Sequence, residues 1–263
     1  MKNLVISLTS NTERRQHIST EFQGHNVNFE FFDALTPDIA IPYAQTLGLN
    51  LDKSQLAPTE LACMMSHVAV WKKAIDESMP YITIFEDDIY LGIDAELLLN
   101  NYEWIQPNWN IIKIESFYKK VYLSSKTYSI LSKKRYIAEL KSKNLGTAGY
   151  ILSLEGAKIL LEFVLHNNIH PIDQTIFNFF VHDHKEPVFQ MVPALCAQEM
   201  IIKESQEPLS LPSLLEEERK IRLAREPIDR KKHQTALFKI NREISRVFLK
   251  ARKTLLTTKV DFK

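Results

Sequence analysis

The sequence predicts an α/β fold in which a mostly parallel, twisted sheet is flanked by helices, and three observations support this. Short apolar runs alternate with helical patterns along residues 1–203, which is typical of strand–helix–strand units. The chain has 263 residues, 45% of them hydrophobic, which suffices for one large core and excludes a disordered chain. Its two cysteines, Cys63 and Cys196, are far apart, which excludes a disulfide framework or a cysteine-based zinc site.

The first half of the chain supplies alternating elements. Asn11 or Thr12 can cap the first helix, and Pro58 suits the first position of the second because its φ angle is already helical. Residues 34–57 contain Pro37, Pro42 and Gly48 and are predicted to be irregular. The predicted elements are a strand at 4–8, a helix at 12–23, a strand at 29–32, a helix at 58–78 and a strand at 81–85.

The second half continues the alternation, and Ser153 can cap the helix that follows it. The predicted elements are a helix at 94–105, a strand at 110–114, a polar hairpin within 117–145, a strand at 150–152, helices at 154–166 and 172–181, and a strand at 188–192. Residues 1–203 are therefore predicted to form the sheet domain. Residues 204–218 include two prolines and are predicted to be a linker.

Charge is unevenly distributed along the chain. Residues 219–263 carry 15 basic and 4 acidic residues, a net charge of +11, whereas residues 1–218 carry 18 and 28, a net charge of −10. Residues 235–256 are apolar on one side at helical period, and the opposite side carries Lys239, Arg242, Arg246, Lys250 and Lys253. This predicts a C-terminal basic amphipathic helical tail at 219–263 that binds an anionic membrane surface. The alternative is a helix packed on its own domain with a solvated basic face.

The predicted location is cytoplasmic, either soluble or bound at a membrane surface. The sequence shows no secretion signal and no apolar run near the ~18–20 residues of a membrane-spanning helix. Nucleic acid is not predicted as a partner, because the basic tail lacks interleaved aromatic residues on which bases could stack.

Three consecutive carboxylates, Glu86, Asp87 and Asp88, end an apolar strand. Like charges at the rim of a core repel one another and resist desolvation. A divalent cation relieves that conflict, and hard oxygen ligands suit Mg²⁺ or Mn²⁺. In open α/β sheets, ligands bind beyond the carboxyl ends of the strands, where this triplet lies. The alternative is an acidic turn that binds no metal.

The loop between the first strand and the first helix is a candidate anion site. Backbone N–H groups at the helix start and the guanidinium of Arg14 can hold a phosphate, although Arg14 on a solvated helix face is the alternative. The chain has no glycine-rich phosphate-binding motif, which argues against nicotinamide-dependent enzymes and P-loop kinases.

These residues resemble the opening of the family 25 glycosyltransferases, the bacterial lipooligosaccharide galactosyltransferases, to which the collagen galactosyltransferases are distantly related. The resemblance extends over about residues 1–200, and the order of the short motifs makes it specific. The matching segments are residues 5–8, 11–15, 31–34, Glu60, 66–67, 71–72, 84–88, 113–115, 146–150 and 172–173. The sequence departs from the family's D-x-D metal motif because Glu86 takes the first place.

The resemblance implies a GT-A-like fold, UDP-galactose as the donor and Mn²⁺ (or Mg²⁺) as the cofactor. The reaction would transfer galactose, with inversion, to an outer-core sugar of lipooligosaccharide in a β-1,4 linkage. The basic tail would hold the enzyme beside this lipid-linked acceptor. Alternatives are a UDP-glucose or UDP-N-acetylhexosamine donor, a metal-dependent nucleotidyltransferase, and a non-catalytic module that binds sugar nucleotides.

The resemblance also implies roles for individual residues. Asp88 is the expected metal ligand, Asp87 a possible second one, and Glu86 a ribose or outer contact. An inverting transfer needs a carboxylate base, for which Asp173 is favoured over Glu115; the structural alternatives are a helix N-terminal charge and a rim residue. The residues expected to contact the donor are Leu8, Thr9, Arg14, Asp33, Ser66, His67, Thr147 and Gln198. For His67 the alternative is a satisfied core histidine, and for Thr147 an ordinary turn.

Overall fold

The structure is a computed structural model that describes residues 1–51, 54–118, 120–203 and 257–263. Its strands are β1 (Lys2–Ser7), β2 (Glu30–Asp33), β3 (Tyr81–Glu86), β4 (Ile89–Leu91), β5 (Ile111–Lys113), β6 (Glu115–Ser116), β7 (Lys120–Ile130), β8 (Arg135–Leu140), β9 (Gly149–Ser153), β10 (Val188–Val192), β11 (Cys196–Gln198) and β12 (Thr257–Lys259). Its helices are α1 (Thr12–Gly24), α2 (Pro37–Thr46), α3 (Pro58–Asp76), α4 (Ala95–Leu99), α5 (Leu154–His166), α6 (Ile172–Gln174), α7 (Val181–Asp183) and α8 (Glu199–Ile202). A π-helical segment, Thr175–Phe180, joins α6 to α7.

The main sheet has the strand order β12-β7-β8-β10-β5-β9-β3-β1-β2 in the described part of the chain. From β10 to β2 the strands share one direction except β9, which runs against both neighbours, so the predicted α/β architecture with a mostly parallel central sheet is confirmed. The edge formed by β12, β7 and β8 is antiparallel. A small second sheet has the order β4-β11-β6.

Two apolar layers cover the two faces of the main sheet. One is built on α2, α3 and α5 and encloses Trp71, and the other is built on α1 and α4 and encloses Trp109. Both tryptophans are fully buried, in line with the core role that their positions favour. The α1 helix is capped as predicted, because the Asn11 side chain accepts a hydrogen bond from the backbone of Arg14.

Most predicted elements are present, and the differences have local causes. Residues 34–57 are not wholly irregular, since they contain α2, whose Ala40 and Ala44 are buried one turn apart in the core. The helix predicted at 94–105 is only five residues long. The hairpin predicted within 117–145 is long, formed by β7 and β8. The strands β4, β6 and β11 span two or three residues each, too few to show a period in sequence.

The last seven residues differ from the helical tail predicted for 219–263. β12 pairs with β7, and Ala194 exchanges backbone hydrogen bonds with Asp261 and Lys263, so these residues belong to the sheet domain. The predicted linker at 204–218 and the amphipathic segment at 235–256 lie outside the described residues. In the part that is described, the helices are all too short or too polar to cross a bilayer.

Candidate functional site

A pocket of about 280 Å³ opens where β1 and β3 end. These strands are parallel neighbours, with Ile6 opposite Glu86, and on the other side of β1, Ser7 lies opposite Asp33 in β2. Their carboxyl ends therefore meet at one edge, as the sequence predicts. Eight of the predicted site residues line the pocket: Leu8, Arg14, Ser66, His67, Glu86, Asp87, Asp88 and Gln198.

Asp87 is the most firmly held member of the acidic triplet. Its Oδ2 accepts a hydrogen bond of 2.6 Å from the hydroxyl of Ser7, and its Oδ1 lies 2.6 Å from Nη1 of Arg14. The second guanidinium nitrogen, Nη2, is 3.5 Å from Oδ2 of Asp88. Arg14 thus neutralises part of the triplet in addition to facing the pocket, where it was predicted to hold an anion.

The negative charge of ionised Asp88 is only partly compensated by neighbouring side chains. Burial, followed by the negative charge of Glu86, raises its pKa to about 6, and Arg14 and Gln198 only partly offset this. A cation bound beside Asp88 would favour its ionised form, since an opposite charge within a few ångströms lowers the pKa of a carboxyl group.

Glu86 is held mainly through one of its two carboxylate oxygens. Its Oε1 accepts a hydrogen bond of 2.7 Å from the hydroxyl of Thr147 and lies 3.7 Å from Nε2 of His67. Burial raises the pKa of Glu86, but hydrogen bonding and charge from His67, Thr147 and Lys113 outweigh burial, so its pKa is lowered overall. Thr147 lines no part of the pocket but positions a carboxylate that does.

Carboxylate oxygens of Glu86 and Asp88 converge on the side-chain amide of Gln198. The small sheet places Gln198 opposite Ile89, so this distant residue reaches the triplet. Its Nε2 lies 3.1 Å from Oδ1 of Asp88 and 3.3 Å from Oε2 of Glu86. Two carboxylate oxygens that converge on one amide N–H donor form a set of oxygen ligands suited to a hard divalent cation. The residues present therefore fit Mg²⁺ or Mn²⁺.

A second set of potential ligands lies beside this point. The side chains of Cys63, His67 and Glu86 each offer a ligand atom, and the three atoms lie within 4.8 Å of one another. Cys63 and His67 are one turn apart on α3. The Nε2 atom of His67 is buried and has no hydrogen-bond partner among the described residues.

Glu115 is enclosed rather than exposed at the rim. It is fully buried, and its Oε2 lies 2.7 Å from Nζ of Lys113 and accepts a hydrogen bond from the backbone of Ala148. Lys113 also donates to the carbonyl oxygen of Gly146. Burial, which is only partly offset by Lys113, raises the pKa of Glu115 to about 7. Lys113 and Glu115 therefore fix the 146–148 loop, whose Thr147 hydroxyl donates a hydrogen bond to Glu86.

Gly146 shows how closely this loop approaches Glu115. Its φ of +88° lies in the left-handed region, which favours glycine. A Cβ atom at this position would also collide with the Glu115 carboxylate.

Asp173 is also buried, and its Oδ1 accepts a hydrogen bond from the backbone of Gln174. Burial and then the negative charges of Glu86 and Asp173 raise the pKa of the Cys63 thiol. Cys63 lines the pocket. The carboxylates of Glu86 and Asp173 therefore both raise the pKa of one pocket-lining thiol.

Thr9 and Asp33 lie at the edge of the site and do not line the pocket. The Asp33 carboxylate pairs with Arg15 and is largely exposed. The residues that follow it, Ala34 and Leu35, do line the pocket. Ser66 holds them there, since its hydroxyl accepts a hydrogen bond of 2.9 Å from the backbone of Leu35.

Sequence reasoning missed several side chains that hold this site in place. Ser7 anchors Asp87, Lys113 anchors the 146–148 loop, and Tyr150 bonds to His67 at 2.8 Å. Trp71 donates to the same tyrosine hydroxyl. Trp71 follows His67 by four residues, so helical spacing was the available signal that the two share a face of α3.

The fold and site define an α/β protein with a cation-compatible acidic site at the carboxyl edge of its sheet. A family model described as glycosyltransferase family 25 (LPS biosynthesis protein) matches residues 1–176. The chain is 36% identical over 261 residues to the lacto-N-neotetraose biosynthesis glycosyltransferase LgtB of Neisseria meningitidis serogroup B, with 92% of this chain and 94% of that protein covered. It is 33% identical to the lipooligosaccharide biosynthesis protein lex-1 of Haemophilus influenzae, with 84% and 83% covered.

The chain therefore belongs to glycosyltransferase family 25, and the predicted resemblance is confirmed. Among solved structures, it is similar to the glycosyltransferase GlyE of Streptococcus pneumoniae, with a TM-score of 0.42 and 9% identity over 100% of this chain and 65% of the other. A glycosyltransferase involved in the glycosylation of the major capsid of PBCV-1 gives a TM-score of 0.39 and 12% identity, over 76% of this chain and 92% of that one. The family assignment rests on the sequence matches.

Proposed function

We propose that this protein is an inverting glycosyltransferase of GT-A-like fold that transfers galactose from UDP-galactose to an outer-core sugar of lipooligosaccharide, in a β-1,4 linkage. The observation that carries the proposal is the convergence of Glu86 and Asp88 on one point beside Arg14, at the carboxyl edge of the sheet. The names of the relatives, lacto-N-neotetraose and lipooligosaccharide biosynthesis proteins, support the acceptor class. Family membership favours glycosyl transfer over a nucleotidyltransferase.

Asp88 and Glu86 are the residues that would hold Mn²⁺ or Mg²⁺. Asp87, which was predicted as a possible ligand, already engages one oxygen with Ser7 and the other with Arg14, so Glu86 is the better second ligand. A bound divalent cation supplies charge neutralisation for the departing diphosphate. Gln198 would leave the point of convergence and turn its amide toward the donor.

The chain's own residues can orient the donor. Arg14 lines the pocket and its guanidinium is held by Asp87, so this cation can attract a phosphate oxygen without a large loss of side-chain entropy. Leu8 and Leu35 border the same pocket and would contact the nucleoside. Thr147 and His67 keep Glu86 in place.

Asp173 is the proposed base that takes the proton from the acceptor hydroxyl. Glu115, the other candidate, is fully enclosed and committed to Lys113 and Ala148, so an acceptor cannot reach it without displacing the 146–148 loop. Asp173 does not line the pocket, but its negative charge raises the pKa of the Cys63 thiol, which does line it. Asp173→Asn should abolish transfer while binding of UDP-galactose survives.

A donor panel tests this function directly. UDP-galactose, UDP-glucose and UDP-N-acetylhexosamines would be incubated with a lipooligosaccharide acceptor, with Mn²⁺ or with chelator, and released UDP measured. We expect UDP release with UDP-galactose and metal only, and linkage analysis of the product should show a β-1,4 bond. Pyrophosphate release would instead indicate a nucleotidyltransferase, and donor binding without turnover a non-catalytic module.

We further propose that the basic segment within 219–256 binds the cytoplasmic face of the inner membrane. Deleting the whole of 219–263 would also remove β12, which pairs with β7. A sharper test replaces Lys239, Arg242, Arg246, Lys250 and Lys253 with glutamine and leaves residues 257–263 intact. Loss of sedimentation with anionic vesicles, with activity on a soluble acceptor retained, is expected. Unchanged sedimentation would refute membrane binding through these charges.

A further inference from the structure

A chain of buried polar groups runs from the core to the acidic triplet. The indole Nε1 of Trp71 lies 2.9 Å from the hydroxyl oxygen of Tyr150, and this oxygen lies 2.8 Å from Nδ1 of His67. All three side chains are fully buried. At the far edge of the imidazole ring, Nε2 lies 3.7 Å from Oε1 of Glu86.

The protons in this chain can be assigned from donor and acceptor chemistry. An indole N–H only donates, so the Tyr150 oxygen must accept from Trp71. The single proton of Tyr150 then needs an acceptor, because a buried hydroxyl proton without one is destabilising. The partner in place is Nδ1 of His67. Nδ1 is therefore the acceptor nitrogen, and the ring proton of the neutral imidazole is on Nε2.

This assignment distinguishes two roles for His67. As a metal ligand, together with Cys63 and Glu86, it would need the lone pair of Nε2 and a proton on Nδ1. The Tyr150 oxygen would then accept from both Trp71 and His67, and its own proton would have no partner in a fully buried site. As an N–H donor at Nε2, His67 leaves Trp71 and Tyr150 fully paired, and its own ring proton is on the nitrogen 3.7 Å from the Glu86 carboxylate.

We propose that Trp71 and Tyr150 fix His67 as an N–H donor toward Glu86, which makes His67 a positioning residue for the acidic triplet and not a metal ligand. The role of this donor in transfer rests on the proposed function, whereas the position of the proton does not. The Cys63–His67–Glu86 cluster accordingly binds no metal through His67.

The proton position can be measured without activity. Long-range ¹H–¹⁵N spectra of the full-length, metal-free protein labelled with ¹⁵N-histidine at neutral pH report which ring nitrogen carries the proton, and His67→Gln assigns the signal. We expect His67 to show a protonated Nε2 and an acceptor-type Nδ1. In Tyr150→Phe this preference should be lost. A protonated Nδ1 in the native protein would overturn the proposal.

The positioning role predicts a change in metal dependence. Tyr150→Phe should raise the Mn²⁺ concentration for half-maximal activity by about tenfold, with a smaller effect on kcat at saturating metal. Tyr136→Phe, on β8, is the matched control and should behave like the native protein. If Tyr150→Phe lowers kcat and leaves the metal dependence unchanged, His67 does not act through the triplet. If neither the native protein nor the control transfers sugar, the proposed function fails and the spectra still decide the proton position.

Cobalt provides a further check on the competing role. Addition of Co²⁺ to the metal-free protein should give no thiolate-to-metal absorption band. A band that disappears in both Cys63→Ser and His67→Gln would show that the cluster binds a metal, and the proposal would be wrong.

Discussion

Asp88 and Glu115 are two buried carboxylates whose pKa values are both raised, to about 6 and about 7, yet their surroundings are opposite. Glu115 is enclosed and lies 2.7 Å from the Lys113 ammonium. Asp88 borders the pocket, and the nearest Arg14 nitrogen is 3.5 Å away. The chain compensates the charge of Glu115 internally, whereas the charge of Asp88 is left for a ligand to compensate. Access to the pocket, more than the raised pKa, separates a ligand-binding carboxylate from a structural one.

Removing the partner charge of Glu115 should produce the largest effect. Lys113→Met leaves the Glu115 carboxylate buried without its counter-charge, which costs about 3–5 kcal/mol of unfolding free energy. Chemical denaturation measures this loss. The double variant Lys113→Met/Glu115→Gln removes both charges and should recover part of it. If Glu115→Gln is as stable as the native protein but inactive, Glu115 is a catalytic base after all.

Removing the charge of Asp88 should act on activity instead. Asp88→Asn removes a proposed metal ligand and should lower activity by about 100-fold or more without loss of folding. Asp76→Asn, which affects only an exposed ion pair with Lys72, is the control. Initial rates over a range of Mn²⁺ concentrations measure the effect. Near-native rates for Asp88→Asn would remove the acidic site from the mechanism.

The comparison also predicts a pH dependence of stability. The folded-state pKa of Asp88, about 6, lies above its ordinary value of 3.8, so folding favours the protonated form. The stability contributed by this group is complete below about pH 4 and is lost as the pH rises through 6. We expect the unfolding free energy of the metal-free protein to fall by about 1–3 kcal/mol over this range.

Asp88→Asn should reduce this decrease, and Mn²⁺ should reverse it at neutral pH. Glu115, whose pKa is raised from 4.5 to about 7, contributes a further decrease toward pH 7 that Mn²⁺ should not change. Denaturation curves at several pH values, with and without metal, separate the two. A decrease that is the same in Asp88→Asn as in the native protein would contradict the assignment.

The parallel part of the site could be predicted because it depends on local signals. The apolar strand that ends in Glu86, Asp87 and Asp88, and the capped helix that carries Arg14, are both visible in the sequence. Since parallel strands end at the same edge, their contact follows from topology. Five of the eight predicted residues in the pocket come from these two segments: Leu8, Arg14, Glu86, Asp87 and Asp88.

The remaining parts depend on contacts between residues distant in sequence. Gln198 reaches Asp88 through three-residue strands, which are too short to show a period. Glu115 was expected beside the site at the end of a strand, as a candidate base or alternatively a rim residue, but the 146–148 loop encloses it. The pairing of β12 with β7 spans more than 120 residues, and no pattern in the basic tail indicates it.

The smallest expected effect concerns the Thr147 hydroxyl, which donates a hydrogen bond to Glu86. Thr147→Val removes the 2.7 Å hydrogen bond to Oε1 of Glu86 and keeps the shape of the side chain, so it should raise the Mn²⁺ concentration for half-maximal activity by up to about tenfold with little change in kcat. Thr83→Val is the matched control, since the buried Thr83 hydroxyl has no hydrogen-bond partner within the described ranges and its removal should be neutral or stabilising. Equal metal dependence in the two variants would mean that Glu86 needs no support from the 146–148 loop. The role of the buried Lys113–Glu115 pair would then be limited to stability.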